Sequence, residues 1–286
     1  MLDAIEWLPR SAMGESKMRI AMSMVLCAGL AAASAAQDAV KSSDAAVHVR
    51  KLTLAATDLP NADWRPIAAS LEGGSYSADD LEDRIQQKLR DQGYYFAHVE
   101  NPQFTNVHPE GPANSADVSV AFEAGNQYAM GEITFKGATQ FKKEPLRSLF
   151  PIAAGSVFNA SAISAGLEKM KSMYEAQGFA DVGAVPAIAV NEEHRVIDIT
   201  VEVEEGYPYL FGQLTLDGAE PMPGESKRLL TAWKEVEGKR YNPEVLKKWL
   251  AVNNPKSPKN APPIHPRAEG IADTEAHLMN VRLKFQ

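Results

Sequence analysis

The chain has 286 residues, 45% of them hydrophobic and 23% charged, with a formal net charge of −8. Such a composition is that of a globular protein of about two domains or several small ones. An acidic chain without a basic block is a poor nucleic-acid binder and a poor candidate for bare electrostatic docking on anionic lipid. The single cysteine, Cys27, excludes a disulfide framework and a zinc site made of several thiolates. The six histidines are scattered, and no pair has the spacing that puts two imidazoles on one helix face.

The first readable segment is a targeting signal. Residues 18–37 read MRIAMSMVLCAGLAAASAAQ, with Lys17 and Arg19 ahead of an apolar run from Ile20 to Ala33. Ala33-Ser-Ala35 is an A-x-A cleavage site, so the layout is that of a secretory signal peptide. Residues 1–35 are read as a preface and signal, with Met1 or Met18 as the start, and 36–46 as a linker. An uncleaved anchor is the alternative, although the run is Ala-rich and short for a span of about 20 residues. A lipoprotein signal using Cys27 is weaker, because Leu26 precedes it.

A repeat follows. Gly131-Glu-Ile-Thr-Phe-Lys-Gly-Ala138 is matched by Gly212-Gln-Leu-Thr-Leu-Asp-Gly-Ala219. The same step taken backwards from Ile133 reaches Leu52, in another strand-like run. The alternation predicts a half-buried strand ending in a tight turn. Each unit then has a glycine followed by an aromatic: Gly73 and Tyr76, Gly155 and Phe158, Gly238 and Tyr241. Helix starts follow, with Asp79, Ser161 and Asn242 as candidate N-caps. Leu81, Ile85 and Leu89, and then Ile163, Leu167, Met170 and Tyr174, have helical spacing. Two of these helices end on Gly93-Tyr94 and Gly178-Phe179, where glycine suits a left-handed C′ residue.

Two strands close each unit. In the second they are predicted at 182–190 and 196–203. In the first they are predicted at 97–107 and 116–123, joined by a long loop through Pro109, Gly111 and Pro112. The third departs after Leu250 into a Pro-rich loop and regains a strand at 276–285. The aromatics and Met170 are read as core, as are Trp64, Trp233 and Trp249.

This ordered set resembles the POTRA (polypeptide-transport-associated) domain, most fully over 128–207. The resemblance implies an α+β fold of three tandem β-α-α-β-β units, each a small mixed three-stranded sheet with two helices on one face. The units are placed at 47–126, 127–207 and 208–286. It implies a periplasmic protein-binding module, chaperone-like, assisting outer-membrane protein assembly or polypeptide export. The expected partners are an outer-membrane β-barrel protein or its accessory subunits and unfolded outer-membrane polypeptides. It implies no catalytic residues, cofactor, metal, nucleic acid or small-molecule substrate. The family's large members carry a C-terminal barrel, for which the third unit leaves no room here. The alternatives are an inner-membrane-anchored periplasmic scaffold and a truncated remnant of a barrel-containing factor.

A search for chemistry agrees with a binding role. The chain has no G-x-S-x-G elbow, Walker A loop or G-x-G-x-x-G. Glu204 and Glu205 are adjacent on a strand and face opposite ways, and Asp79-Asp80 suits the first turn of a helix. Glu192, Glu193 and His194 sit in a turn without a further ligand. The candidate site is instead a sheet edge. Pro102 and Pro186 lie in the second strand of their units, and proline belongs on edge strands, where it blunts strand addition at its own position and is read either as a guard against aggregation or as leaving a docking edge elsewhere along the strand. The partner-binding candidates are Val182, Ala184, Val185, Ala187, Ile188 and Val190. N-terminal sequencing of exported protein is expected to begin near Ala36; an intact N terminus contradicts the cleaved signal.

Overall fold

The structure, a computed structural model, describes residues 46–110, 113–218, 223–254 and 266–285. The expected signal, its preface and most of the linker lie outside the described residues. Among the described residues no helix is long and apolar enough to cross a membrane.

The first unit runs β1 (Val47–Ala56), α1 (Arg65–Leu71), β2 (Ser75–Tyr76), α2 (Ala78–Asp91), β3 (His98–Val99), β4 (Gln103–Glu110) and β5 (Ala113–Glu123). The second runs β6 (Ala129–Lys136), α3 (Lys143–Arg147), α4 (Ala160–Glu175), β7 (Gly183–Asn191) and β8 (Val196–Glu204). The third runs β9 (Leu210–Asp217), α5 (Pro223–Trp233), α6 (Pro243–Val252), β10 (Arg267–Asp273) and β11 (Leu278–Lys284). In each, the first strand pairs in parallel with the last, which pairs antiparallel with the strand just before it. The mixed α+β architecture is the expected one.

Four local readings need correction. The first sheet has five strands, because Pro102 splits the predicted strand 97–107 into β3 and β4, and a short edge strand β2 joins β1. Its last two strands are a close hairpin and not arms of a long loop, with Glu110 already paired to Ala113. The helix caps begin earlier than predicted. Ser77 Oγ accepts the Asp80 N–H at 3.1 Å and Asn159 Oδ1 accepts the Ala162 N–H at 2.7 Å. Asp79 and Ser161 therefore sit inside the first turn, and Asn242 caps α6 as predicted. In the third unit, β10 restores the second strand that the Pro-rich stretch hid.

Each unit has its own core. Leu81, Ile85 and Leu89 of α2 are fully buried, as are Ile163, Met170 and Tyr174 of α4. Trp64, Trp233 and Trp249 are buried as read, and the last two meet edge to face with centroids 5.0 Å apart. The first strand carries a bulge in every unit. In the second, a Cβ on Gly131 would collide with the Asp198 carboxylate, whose Oδ1 accepts the Glu132 N–H at 2.7 Å. In the third, Gly212 meets Asn280, which accepts the Gln213 N–H at 2.8 Å. In the first, Arg50 replaces the glycine and reaches Asp117 at 3.1 Å.

The units join by one repeated device. Gly93 and Gly178 end α2 and α4 at φ +85° and +90°. Their carbonyls accept the N–H of Tyr128 (2.9 Å) and of Tyr209 (2.8 Å), at the start of the next unit. The cap residues complete the joint: Asn159 Nδ2 donates to the Asp91 carbonyl and Asn242 Nδ2 to the Ala176 carbonyl, both at 3.0 Å. Each asparagine thus caps its own helix and grips the end of the preceding one. A side chain at Gly178 would be strained in the left-handed region and would press on the Tyr209 carbonyl at 3.0 Å. Gly178→Ala is expected to lower stability by about 2 kcal/mol in urea unfolding; an unchanged midpoint contradicts this reading of the joint.

Candidate functional site: an open sheet edge in the second unit

The second sheet has the order β6-β8-β7, so β7 is an edge strand. Its nine residues pair with β8 without interruption, from Gly183 opposite Glu204 to Asn191 opposite Val196. Ala184, Ile188 and Val190 lean on the core beneath. Val185, Ala187 and Ala189 stand on the other face, and Val185 is 65% exposed. Five of the six candidate residues thus lie on β7. Val182 precedes it and is buried.

The strand GAVPAIAVN has no charged side chain. Its counterparts are different. In the first unit the second strand is broken at Pro102 and again by a register shift between Thr105 and His108, where Asn106 has φ +50°. In the third, β10 carries Arg267, Glu269 and Asp273, and Glu269 pairs with Lys284 at 2.9 Å. Breaks and charges protect a sheet edge against addition of another strand. On β7 the one such feature is Pro186, which removes a single main-chain donor and leaves the rest of the strand open.

The support under β7 is polar as well as apolar. Glu205 follows the end of β8, and its Oε1 accepts the N–H groups of Thr139 (2.7 Å) and Gln140 (2.9 Å) and the Tyr174 hydroxyl (2.8 Å). Burial alone would raise its pKa, but the Gln140 N–H, Thr139 and Tyr174 together hold it below the usual value. Burial and the Glu205 charge push the Tyr174 hydroxyl well up. At the next joint, the hydrogen bond to Asp181, with burial, pushes Tyr209 up to about 12. From sequence Glu205 reads as an ordinary acid next to Glu204. The structure makes it the clamp that fixes the end of β8 to α4 and to the turn after β6. Of the other acids singled out, Glu192 accepts the Tyr128 hydroxyl at 2.7 Å, and no group of three potential metal ligands forms among the described residues.

The comparisons place this geometry in a class. The POTRA family model, described as "Surface antigen variable number repeat", matches residues 128–206, which are the second unit. The second unit thus matches the POTRA family model, and the chain shares the fold of consecutive POTRA domains. The crystal structure of BamA POTRA domains 3–5 from Haemophilus influenzae matches at a TM-score of 0.57 and 14% identity, over 84% of this chain and 97% of that one. BamA from Haemophilus ducreyi lacking POTRA domains 1–3 matches at 0.38 and 21%, over 56% of this chain and 29% of that one. CdiB from Escherichia coli matches at 0.31 and 17%, over 72% and 32%. Of these three, the first reaches a score that establishes a shared fold. No curated protein matches the sequence.

Glu205 supplies a pH test. Its folded pKa lies below the unfolded one, so its contribution is present above that unfolded value, near 4.5, and is lost as pH falls through the folded value. Glu205→Gln is expected to cost about 1–2 kcal/mol at pH 7 in urea unfolding, since charged hydrogen bonds weaken to neutral ones. The difference from the parent should shrink below pH 4; the same difference at pH 7 and pH 3.5 contradicts the clamp.

Proposed function

We propose that this chain is a periplasmic protein-binding module that assists outer-membrane protein assembly or polypeptide export. It binds an extended segment of an unfolded outer-membrane polypeptide, or of a barrel protein or accessory subunit, as an added strand on β7. The observation that carries the reading is the long, uncharged edge of β7, paired to β8 along its whole length and lacking a donor at Pro186 alone. An added strand takes up unpaired main-chain groups, and main-chain bonding accepts many sequences. The small side chains Ala184, Ala187 and Ala189 leave room beside the edge for varied client residues. The shared fold with consecutive POTRA domains of a BamA protein supports the envelope setting, as does the secretory pattern of residues 18–37.

The role is binding and not catalysis, because its working groups are main-chain donors and acceptors. A photoreactive residue at Val185 in the living host is expected to capture envelope polypeptides. The same probe at Ala272 of the charged β10 edge is expected to capture few. Equal capture at both positions, or none at Val185, contradicts the proposal. With the probe kept at Val185, placing lysines at Ala187 and Ala189 should reduce capture about tenfold without changing the unfolding midpoint, as charges on an edge oppose strand addition.

A further inference from the structure

The second sheet has another edge. In β6-β8-β7 the first strand is as much an edge as β7, and it faces a groove instead of open solvent. The groove, of about 500 Å³, runs between β6 and α3 and is lined by Ile133, Phe135, Lys143, Arg147, Ser148 and Phe150. The first unit has the same groove between β1 and α1, of about 730 Å³.

Among the differences between the two grooves, one lies on the edge strand itself. At the N-terminal end of each edge a loop already pairs with the strand. Val49 exchanges hydrogen bonds with Gly73 and Gly74, and Met130 exchanges them with Gly155 and Ser156. Past the bulge the outer side of the strand continues at Leu52 in the first unit and at Ile133, its equivalent, in the second. In the first unit the Leu52 N–H is bonded to the Glu72 Oε1 at 2.8 Å, so a carboxylate of the chain's own occupies that edge. Glu72 stands immediately before Gly73. The residue immediately before Gly155 is Ala154, an exposed turn residue without an acceptor side chain. The second groove has the same edge without that carboxylate.

The rim indicates the chemistry of an occupant. Lys142 and Lys143 are exposed, and Arg147, whose guanidinium is bonded to the Phe150 and Ile152 carbonyls, adds a third positive charge against the single acid Glu144. This is a basic rim on a chain of net charge −8. The floor, formed by Phe135 and Phe150 with ring centroids 5.8 Å apart, is apolar.

We infer that the β6/α3 groove is a second docking site, which takes an extended polypeptide segment of alternating apolar and acidic side chains. Its main chain adds to the outer side of β6 from Ile133 to Lys136. A carboxylate of the segment lies toward Lys143 on the rim. The sheet then accepts one strand on each side, and the two sites select differently: β7 by main chain alone, β6 by main chain and charge.

The test uses a fluorescent ten-residue peptide alternating Val and Glu, and its counterpart alternating Val and Lys, with the processed chain. Anisotropy is expected to show binding of the acidic peptide at least tenfold tighter than the basic one. Ala154→Glu installs the carboxylate that the first unit already has, in a turn shown there to accept it. It is expected to remove the preference for the acidic peptide, leaving both peptides to bind equally and weakly at β7, while capture at Val185 continues, so that the two sites fail or stand separately. Lys143→Glu, at the exposed start of α3, should weaken the acidic peptide about tenfold and reverse the preference. Equal binding of the two peptides by the parent, no binding of the acidic one to the parent, or unchanged binding in Ala154→Glu and Lys143→Glu overturns the inference.

Discussion

One hydrogen bond, made twice, organises this molecule. A left-handed glycine closes the long helix of one unit, and its carbonyl receives the N–H of the tyrosine just before the first strand of the next. The glycine is required for its φ and for the close approach of Tyr128 or Tyr209. The asparagine that caps the next helix holds the same helix end from the other side. Short linkers are thereby turned into joints with directed contacts. Aromatic packing adds to the first of them, where Tyr95 meets Phe158 at 5.6 Å and Phe96 meets Tyr128 at 5.8 Å.

The same economy leaves the sheets open. A unit of about 80 residues builds a small open sheet, of three strands in the second and third units and five in the first, and such a sheet always has two edges. The molecule handles those edges differently in each unit. The first breaks its second strand and caps β1 with Glu72. The third places charges along β10. The second does neither on β7 and lacks the capping carboxylate on β6. The unit that matches the POTRA family model is also the one whose edges are least protected.

The repeat, the element types and the core are readable from sequence because they rest on periodicity. Ile163, Leu167, Met170 and Tyr174 fall on one helix face wherever the helix is placed. The left-handed glycines are readable because they end that pattern. The caps at Ser77 and Asn159 are not, because several good capping residues stand together and backbone geometry chooses among them. The bulge is visible only as the coincidence of Gly131 with Gly212. Its partners Asp198 and Asn280 lie on the last strand of each unit, far along the chain, so local pattern does not explain it. β7 is recognisable as an edge through Pro186. The β6 edge is not, since its significance depends on a comparison of Glu72 with Ala154 that needs the fold to align them.

Whether β7 accepts a strand through its main chain is tested most directly by amide hydrogen exchange. The processed chain would be measured with and without an extended neutral outer-membrane peptide. Strand addition predicts added protection confined to alternate amides between Ala184 and Val190, as an outer ladder forms on one side of the strand. Protection spread over the helices, or none on β7 at saturating peptide, would contradict it.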